Sequence, residues 1–199
     1  MRIIDVQQNS PEWSAVRRGV PSASAFDMIV TTKGELSKQR QKYLYRLAGE
    51  QVSGIVEETY QNGAMLRGKE MEDEARQLYS LINDVEVQQV GFCVADGGFA
   101  YGASPDGLIG EDGCLEIKCP QMATHVGYLI ENVLPLEYFQ QTQGQLLVTG
   151  RKWVDFMSYY PGLKPLIIRV NPDKKFQQVL KAELEKFCIE LKQITERIK

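Results

Sequence analysis

The sequence has few of the residues that build zinc sites and disulfide frameworks. Its 199 residues include four cysteines, with no CxxC pair, and one histidine, His125. Because structural zinc sites need cysteine and histidine clustered at short spacing, this composition argues against zinc. His125 is therefore expected to be a structural or surface residue. The cysteines are expected to be free thiols, since disulfides are rare in a reducing compartment.

Long apolar runs and net positive charge are also lacking. No run approaches the ~20 apolar residues of a membrane span, and the N-terminal segment has no apolar signal core. These absences predict a cytoplasmic protein with no membrane partner. The formal net charge of −3 argues mildly against a nucleic-acid partner, because such domains are often basic. Local charge matters more than the average, and basic residues gather at Arg17 and Arg18 and again between Lys38 and Arg46.

The order of hydrophobic patterns predicts one α/β domain over residues 1–199, with a central mixed β-sheet flanked by helices. At 43% apolar and 25% charged residues, the chain has the composition of a folded protein with a substantial core. Helices are predicted from Pro11 to near Gly19, about Ser37 to Val52, about Ala64 to Leu81, Met122 to Glu131, Leu134 to Thr149, and from Asp173 onward. Strands are predicted over 85–96, 99–103, 106–110, 113–119, 153–160 and 165–170.

The stretch SPDGLIGEDGCLEIKCP, residues 104–120, carries charged residues where a core strand would not need them. Side chains alternate along a strand, so Cys114, Glu116 and Lys118 share one face. The Gly-rich turn can fold the two halves into a hairpin. A tight hairpin would bring Asp106 level with Glu116 or Ile117, so that two carboxylates and a lysine converge at one end of the sheet.

This convergence predicts metal-assisted phosphodiester hydrolysis. Two close carboxylates repel unless a cation sits between them, and hard oxygen ligands suit Mg²⁺ or Mn²⁺. A lysine beside the metal can orient or deprotonate a water, or neutralise charge in the transition state. The competing interpretation is a solvated Glu116–Lys118 pair worth under ~1 kcal/mol. On the tripeptide alone that interpretation is favoured, since acid-x-Lys occurs three times in the chain.

Four blocks together are far more specific than the tripeptide. They are WSAVRRGVPSAS (13–24), RGKEMEDEARQLY (67–79), the stretch at 104–120, and EYFQQTQGQLLVTG (137–150). In type and order they resemble the lambda exonuclease-type, YqaJ-like phage recombination nucleases of the PD-(D/E)XK superfamily. The resemblance covers about residues 13–160, while residues 30–54 match only loosely. It implies the restriction-endonuclease-like nuclease fold of that superfamily.

The resemblance also implies a metal centre. Asp106 and Glu116 would hold the metal, joined by the backbone carbonyl of Ile117 and by Glu72 from the second block. Lys118 would act on the attacking water. The implied metal is Mg²⁺, with Mn²⁺ as a possible substitute.

A DNA-binding set is implied by the other blocks. Arg17 matches the residue that contacts the 5′-phosphate of the DNA end, with the hydroxyls of Ser24 and Ser104 nearby. Gln143 matches the motif glutamine, and Gln141 replaces it if the helix register differs by a turn. Most of the alternating glutamines of this helix are expected on the surface.

Each matched residue has a plainer interpretation. Glu72 lies among other acidic residues and could be one more solvated helix charge. Arg17 could pair with Glu12 or Asp27, and Ser22 and Ser24 are first of all candidate N-caps. The basic run from Lys38 to Arg46 could face DNA, but a solvated helix face is the more frequent outcome.

As a whole, the resemblance implies a Mg²⁺-dependent 5′→3′ exonuclease of a bacterial host or prophage. It would degrade one strand of duplex DNA from its ends, preferably 5′-phosphorylated ones, and leave 3′ single-stranded overhangs for recombination by single-strand annealing. Its implied partners are a single-strand annealing protein and copies of itself in a homotrimeric ring. The alternatives are another superfamily nuclease, such as an endonuclease, or a non-catalytic DNA-binding module. An iron–sulfur exonuclease is disfavoured because the cysteine spacing does not match.

Overall fold

The computed structural model describes residues 1–56 and 63–199, with residues 63–66 and 69 described by their backbone alone. The helices are α1 (Pro11–Arg17), α2 (Arg40–Ser53), α3 (Gly63–Asn83), α4 (Met122–Glu131), α5 (Phe139–Thr149) and α6 (Lys174–Ile198), with 3-10 helices at Ala23–Met28 and Leu136–Tyr138. The strands are β1 (Arg2–Ile4), β2 (Val87–Gln88), β3 (Phe92–Val94), β4 (Gly102–Ala103), β5 (Gly107–Ile109), β6 (Gly113–Lys118), β7 (Trp153–Ser158) and β8 (Leu166–Val170).

The central element is a five-stranded mixed sheet in the order β2-β5-β6-β7-β8. Strands β6 and β7 pair in parallel, and the other neighbours are antiparallel. Parallel neighbours need a crossover connection, and the chain between β6 and β7 supplies one that contains α4 and α5. The predicted α/β class, with a central mixed sheet flanked by helices, is confirmed.

A second, three-stranded antiparallel sheet has the order β1-β3-β4. The sequence did not predict β1, and it wrongly predicted one strand over 85–96. That stretch divides between the two sheets, because the backbone at Gly91 approaches the N-terminal segment closely. A Cβ atom at Gly91 would lie 2.3 Å from the carbonyl oxygen of Val6 and 2.6 Å from that of Ile4. Only glycine allows this approach, because it has no Cβ atom. The pairing of β2 with the central sheet therefore ends before Gly91.

The two faces of the central sheet pack against different helices. Leu115 and Ile117 of β6 are buried with Ala75 and Tyr79 of α3 in the smaller of two apolar clusters. Cys114 faces the other way, into the larger cluster that includes residues of α2, α5 and α6. The predicted alternation of β6 is therefore confirmed, and it directs Glu116 toward α5.

Helix ends and apolar stripes follow the sequence signals. Ser10 caps α1 by accepting from Trp13 N at 3.1 Å, and Asp173 caps α6 by accepting from Phe176 N at 3.0 Å. The predicted stripe of α6 is buried at Phe176, Leu180, Leu184, Phe187 and Leu191. Across the described ranges, no helix combines the length and apolarity that crossing a membrane requires.

Candidate active site

The β5–β6 hairpin brings Asp106 against β6. The strands pair with Gly107 opposite Leu115, and Asp106 N donates to Leu115 O at 2.9 Å. The Asp106 carboxylate then accepts from Ile117 N through Oδ2 at 2.6 Å. Because the N–H and C=O of one strand residue point toward the same neighbouring strand, the Ile117 carbonyl opens on the side of Asp106. The predicted convergence of Asp106 with Glu116 and Ile117 is confirmed as geometry.

Glu116 is buried, with 1% of its surface exposed, and hydrogen-bond donors surround it. Lys118 Nζ pairs with Oε1, Gln141 Nε2 donates to Oε1 at 2.5 Å, and Gln145 Nε2 donates to Oε2. Residues 141 and 145 share a face of α5 because they are four apart. A buried carboxylate is stable only with such partners, so α5 and Lys118 together hold the Glu116 charge.

Glu72 brings a third carboxylate from α3. Burial raises the pKa of Asp106 well above its usual range, and the negative charges of Glu116 and Glu72 raise it further. Burial also raises the pKa of Glu72, Arg76 acts to lower it, and Glu116 acts to raise it. The three acids therefore stand in one another's electrostatic field. Burial acts to lower the pKa of Lys118, but Glu116 and Asp106 outweigh it and the pKa is raised.

The carboxylate and carbonyl oxygens of this site are the ligand types that magnesium prefers, although the carboxylates are not arranged around one common point. Within residues 1–56 and 63–199, no three His, Cys, Asp or Glu side chains form a ready-made metal cluster. Glu116 is turned onto Lys118 and α5. Mg²⁺ is usually bound through one or two carboxylates and keeps several waters. Glu116 acts to raise the pKa of both Asp106 and Glu72, and a cation between such carboxylates would relieve their repulsion, so the residues fit such an ion.

Arg17 occupies a pocket of hydroxyl groups. Its Nη1 donates to Ser104 Oγ at 3.1 Å, and its Nη2 donates to Ser22 Oγ at 3.1 Å and Ser24 Oγ at 3.3 Å. The guanidinium stacks over the Trp13 ring at 4.0 Å from the ring centroid. Ser22, at the N-cap position of the 3-10 helix, makes no side-chain capping bond there. Arg17, Ser24 and Ser104, three residues predicted to bind DNA, therefore lie together.

Among the described residues, no carboxylate forms a hydrogen bond with the Arg17 guanidinium. All the hydrogen bonds that the guanidinium donates there go to serine hydroxyls. The predicted alternative, a pair with Glu12 or Asp27, is therefore wrong. Burial lowers the pKa of Arg17 to about 10, and the charge of Glu116 acts against that shift. Arg17 is half-buried, and a cation withdrawn from water without an anion is costly. The pocket is therefore chemically suited to an incoming anion, within the field of the carboxylate site.

Ser104 links the pocket to the carboxylates. Its Oγ accepts from Arg17 and also from Trp13 Nε1 at 3.0 Å. A hydroxyl has two acceptor lone pairs and one proton. These two bonds use both lone pairs, so the remaining capacity of the Ser104 hydroxyl is to donate its proton. Asp106 follows Ser104 with only Pro105 between them. Gln8 Nε2 fixes this short link by donating to Pro105 O at 2.9 Å.

Gln143 is not at the site, and that prediction is wrong. Its Nε2 donates to Asn171 O at 2.9 Å, and its Oε1 accepts from Asp173 N at 2.8 Å, so it anchors the start of α6. Gln141, the predicted replacement, contacts Glu116 instead, as does Gln145. The expectation that most of these glutamines lie on the surface is also wrong, because Gln143 and Gln145 are each 1% exposed.

Sequence reasoning missed the role of Arg76 in the geometry of this site. Its Nη2 donates to Glu72 Oε1 at 2.9 Å, and its Nε donates to Asp106 O at 3.0 Å. The available signal was its spacing of four residues from Glu72, which places both side chains on one face of α3.

The remaining candidates have structural surroundings. His125 is buried, with Nδ1 bonded to Ser158 Oγ at 2.7 Å and Nε2 to Lys164 O at 3.1 Å, which confirms the structural interpretation. All four cysteines are free thiols, as predicted.

The basic run from Lys38 to Arg46 divides into paired and solvated residues. Arg40 forms two hydrogen bonds of 2.8 Å to Glu190, and Arg46 lies 3.8 Å from Glu50. Lys38 and Lys42 are exposed. This arrangement supports the interpretation as a helix face.

Comparisons with known proteins identify a family and several similar structures. The model of the YqaJ-like viral recombinase domain matches residues 12–152. The crystal structure of the alkaline exonuclease LHK-Exo from Laribacter hongkongensis aligns with a TM-score of 0.86 at 33% identity, over 95% of this chain and 96% of that one. LHK-Exo in complex with dAMP aligns with a TM-score of 0.87 at 34% identity, over 96% of both chains.

A more distant likeness concerns the fold alone. A phage-related exonuclease from Haemophilus somnus 129PT aligns with a TM-score of 0.70 at 12% identity, over 90% of this chain and 96% of that one. The comparison with curated proteins gives no match. The matched structures have the predicted nuclease fold, with its mixed sheet and flanking helices.

Proposed function

The chain belongs to the YqaJ-like viral recombinase domain family, and from that membership we propose that it is a metal-dependent exonuclease. It digests one strand of duplex DNA in the 5′→3′ direction from the ends and leaves 3′ single-stranded overhangs. The alkaline exonuclease LHK-Exo aligns over nearly the whole chain, and this likeness supports exonuclease activity.

One observation carries the proposal: a pocket suited to an anion and the carboxylate site share a three-residue segment. Ser104 bonds the Arg17 guanidinium, and Asp106 bonds β6 beside Glu116. A terminal 5′-phosphate held by Arg17 and Ser104 would present the next part of the strand to Asp106. Arginine suits phosphate because its planar fork can donate two hydrogen bonds. An enzyme built in this way starts at a DNA end.

A magnesium ion would be held by Asp106, Glu116, the carbonyl of Ile117 and Glu72, and Mn²⁺ could replace it. When bound, such an ion would supply Lewis-acid polarisation of the phosphate and activation of a water. Two features support this assignment: the mutual field of the three acids and the orientation of the Ile117 carbonyl toward Asp106.

The residues of the chain orient the reactants and hold protons. Lys118 keeps its proton at Nζ, since the neighbouring acids raise its pKa, and an ammonium there can orient a water and stabilise negative charge on the phosphate. Gln141 and Gln145 hold the Glu116 carboxylate in place. Burial of Glu116 against α5 keeps bulk water away from that side of the site.

The wider role follows from the family rather than from a single contact. We propose that the protein acts in recombination by single-strand annealing, beside an annealing protein, and inside a bacterial host. A homotrimeric ring around the DNA would let the enzyme stay bound between cuts. Digestion of long duplexes with excess unlabelled competitor would reveal such processivity.

The function is tested by comparing linear and closed circular duplexes with and without Mg²⁺. The proposal predicts metal-dependent loss of linear DNA alone, abolished in Lys118→Ala. Lys152→Ala is a matched control and should leave activity unchanged. Lys152 also pairs with a carboxylate, but it is 74% exposed and precedes β7, whose first residue pairs with Gly113 at the opposite end of β6 from Lys118. Cutting of closed circles would indicate an endonuclease instead. Intact DNA of both kinds would indicate a non-catalytic binding module.

A further inference from the structure

Arg76 joins two of the proposed metal ligands with one side chain. Its Nη2 donates to Glu72 Oε1 at 2.9 Å, and its Nε donates to Asp106 O at 3.0 Å. We propose that Arg76 is a positioning residue that fixes the Glu72 carboxylate relative to Asp106 and thereby sets the metal affinity of the site. This inference rests on the proposed function.

The two ligands come from separate parts of the fold, so their spacing needs a connection. Glu72 lies on α3, while Asp106 precedes β5 in the central sheet. Ala75 and Tyr79 anchor the next turns of α3 against the sheet and are 0% and 1% exposed. These apolar contacts hold the helix in place but do not determine the rotamer of Glu72. The hydrogen bond from Arg76 does determine it, because it holds one carboxylate oxygen against a guanidinium that is itself fixed.

The Asp106 backbone is held from both sides. Its N–H donates to Leu115 O at 2.9 Å across the hairpin, and its carbonyl accepts from Arg76. On the outer side, β5 pairs with the two-residue strand β2, whose register ends at Gln88 opposite Leu108 and so stops short of Asp106. Arg76 therefore supplies the outer hydrogen bond at this position.

Arginine has the geometry that this role requires. The planar fork presents Nε and Nη2 at a fixed separation, so both bonds form from one rigid group. A lysine could reach either the carboxylate or the carbonyl, but its single ammonium would not hold both in one geometry. The fork is also fixed on its other edge. Nη1 donates to Asp73 Oδ1 at 2.5 Å, and the Gln89 amide can turn its oxygen toward Nη1 at 2.7 Å.

Two plainer roles for Arg76 fit the contacts less well. The Arg76 side chain is 11% exposed, so its donors are spent inside the protein rather than offered to a DNA phosphate. Its pair with Asp73, a residue 75% exposed, is a surface ion pair of small energetic value. The contacts that distinguish Arg76 are those to Glu72 and Asp106.

The test uses Mg²⁺ titrations of the thermal unfolding midpoint without DNA, since an ion that binds only the folded state raises the midpoint. Arg76→Lys is expected to raise the half-saturating Mg²⁺ concentration by about 10-fold, the loss typical of removing a group that orients a ligand. Arg76→Gln, a second variant, should weaken binding at least as much. Affinity for 5′-phosphorylated duplex ends without divalent metal should match the wild type.

Two further variants separate positioning from general stability. Arg40→Lys is the matched control, because the Arg40 side chain is similarly buried at 15% exposure and bonds Glu190 through both Nη atoms. It should lower the midpoint without moving the half-saturating Mg²⁺ concentration. If Arg76 acts through Glu72, Arg76→Lys should weaken Mg²⁺ binding less in a protein that already carries Glu72→Gln than in the wild type.

The outcomes are distinct. A wild-type response to Mg²⁺ that Arg76→Lys leaves unchanged would overturn this inference alone. A loss of DNA-end affinity in Arg76→Lys, with an unchanged Mg²⁺ response, would make Arg76 a DNA contact and also overturn it. A wild-type protein that Mg²⁺ does not stabilise would overturn the metal-dependent function and this inference with it.

Discussion

Asp106 Oδ2 accepts a hydrogen bond of 2.6 Å from the backbone N–H of Ile117. This bond closes the hairpin at the end where the carboxylates meet. It gives Asp106 one fixed orientation, and it leaves the Ile117 carbonyl on the same side of the strand. The hairpin therefore delivers a carboxylate and a carbonyl in one rigid unit, and the acids of the site then interact through their charges.

Asp106→Asn should abolish activity yet stabilise the metal-free protein. Removing the charge of a proposed metal ligand should lower the cleavage rate by more than about 100-fold. The folded protein holds the Asp106 carboxylate at a raised pKa because of burial and the charges of Glu116 and Glu72. A neutral amide relieves this repulsion, and a gain of about 1 kcal/mol would raise the melting temperature by about 2–4 °C.

Circular dichroism melting without divalent ions, paired with a cleavage assay, checks both parts. Glu137→Gln, which changes an acid outside the carboxylate cluster, is the control and should keep activity. A metal-free Asp106→Asn protein that melts well below the wild type would show that the carboxylate is needed for folding.

Stability in the absence of metal should fall as pH rises through the carboxyl range. The ordinary pKa of Asp106 is 3.8, and its folded value is well above that. A raised carboxyl pKa means that the folded state favours the protonated acid, so its favourable contribution is lost between pH 3.8 and the higher folded pKa. Mg²⁺ needs the ionised carboxylates, so its stabilising effect should grow over the same interval.

The stabilising effect of Mg²⁺ is the difference between the melting temperatures with and without the ion, measured from pH 4 to 9. A difference that stays constant across this range would contradict the coupling between the metal and these acids.

Gln145 and Gln143 form a matched pair for testing α5. Gln145→Leu removes a donor from buried Glu116 and should weaken Mg²⁺ binding by about 10-fold. Gln143→Leu removes the bonds that anchor Asn171 and Asp173, so it should lower stability by roughly 1–3 kcal/mol and leave Mg²⁺ binding unchanged. Denaturant melts and Mg²⁺ titrations of both variants separate the effects. Equal half-saturating Mg²⁺ concentrations in the two variants would show that Gln145 does not contribute to metal binding.

Gly91→Ala should destabilise the protein by about 1–3 kcal/mol. The added Cβ would meet backbone atoms of the N-terminal segment at 2.3 and 2.6 Å, and backbone cannot move aside as a flexible side chain can. Gly49→Ala in α2 is the opposite case. Apart from the chain neighbours and the nearby backbone of the helix itself, no atom of the described residues lies within 4 Å of the new Cβ. That change should stabilise by about 0.5–1 kcal/mol. Urea unfolding of the two variants gives the comparison, and effects of the same sign would contradict the packing at Gly91.

The sequence predicted what short-range patterns determine. The alternation of β6 and the hairpin placed Asp106 beside Glu116 because strand geometry leaves few alternatives. The apolar stripe and the Asp173 cap predicted α6 for the same reason.

What the sequence missed depends on contacts between distant segments. Strand β1 has only three residues and exists through its pairing with β3. Gln143 and Gln145 differ by two positions on one helix, and only the packing of α5 between β6 and α6 decides which one meets Glu116. Arg76 looks like an ordinary ion-pair partner of Glu72 until the approach of Asp106 O gives it a second contact.

In the proposed function, the pocket of Arg17 binds the 5′-phosphate of the strand that the carboxylate centre cuts. The most direct test measures the initial rate of digestion of one linear duplex with either a 5′-phosphate or a 5′-hydroxyl, for the wild type and Arg17→Ala. Charge-assisted hydrogen bonds contribute about 1.5–3 kcal/mol, so the wild type should prefer the phosphate by about 10- to 100-fold, and Arg17→Ala should lose most of that preference. Equal wild-type rates on the two ends, or an undiminished preference in Arg17→Ala, would contradict the binding of the 5′-phosphate by Arg17.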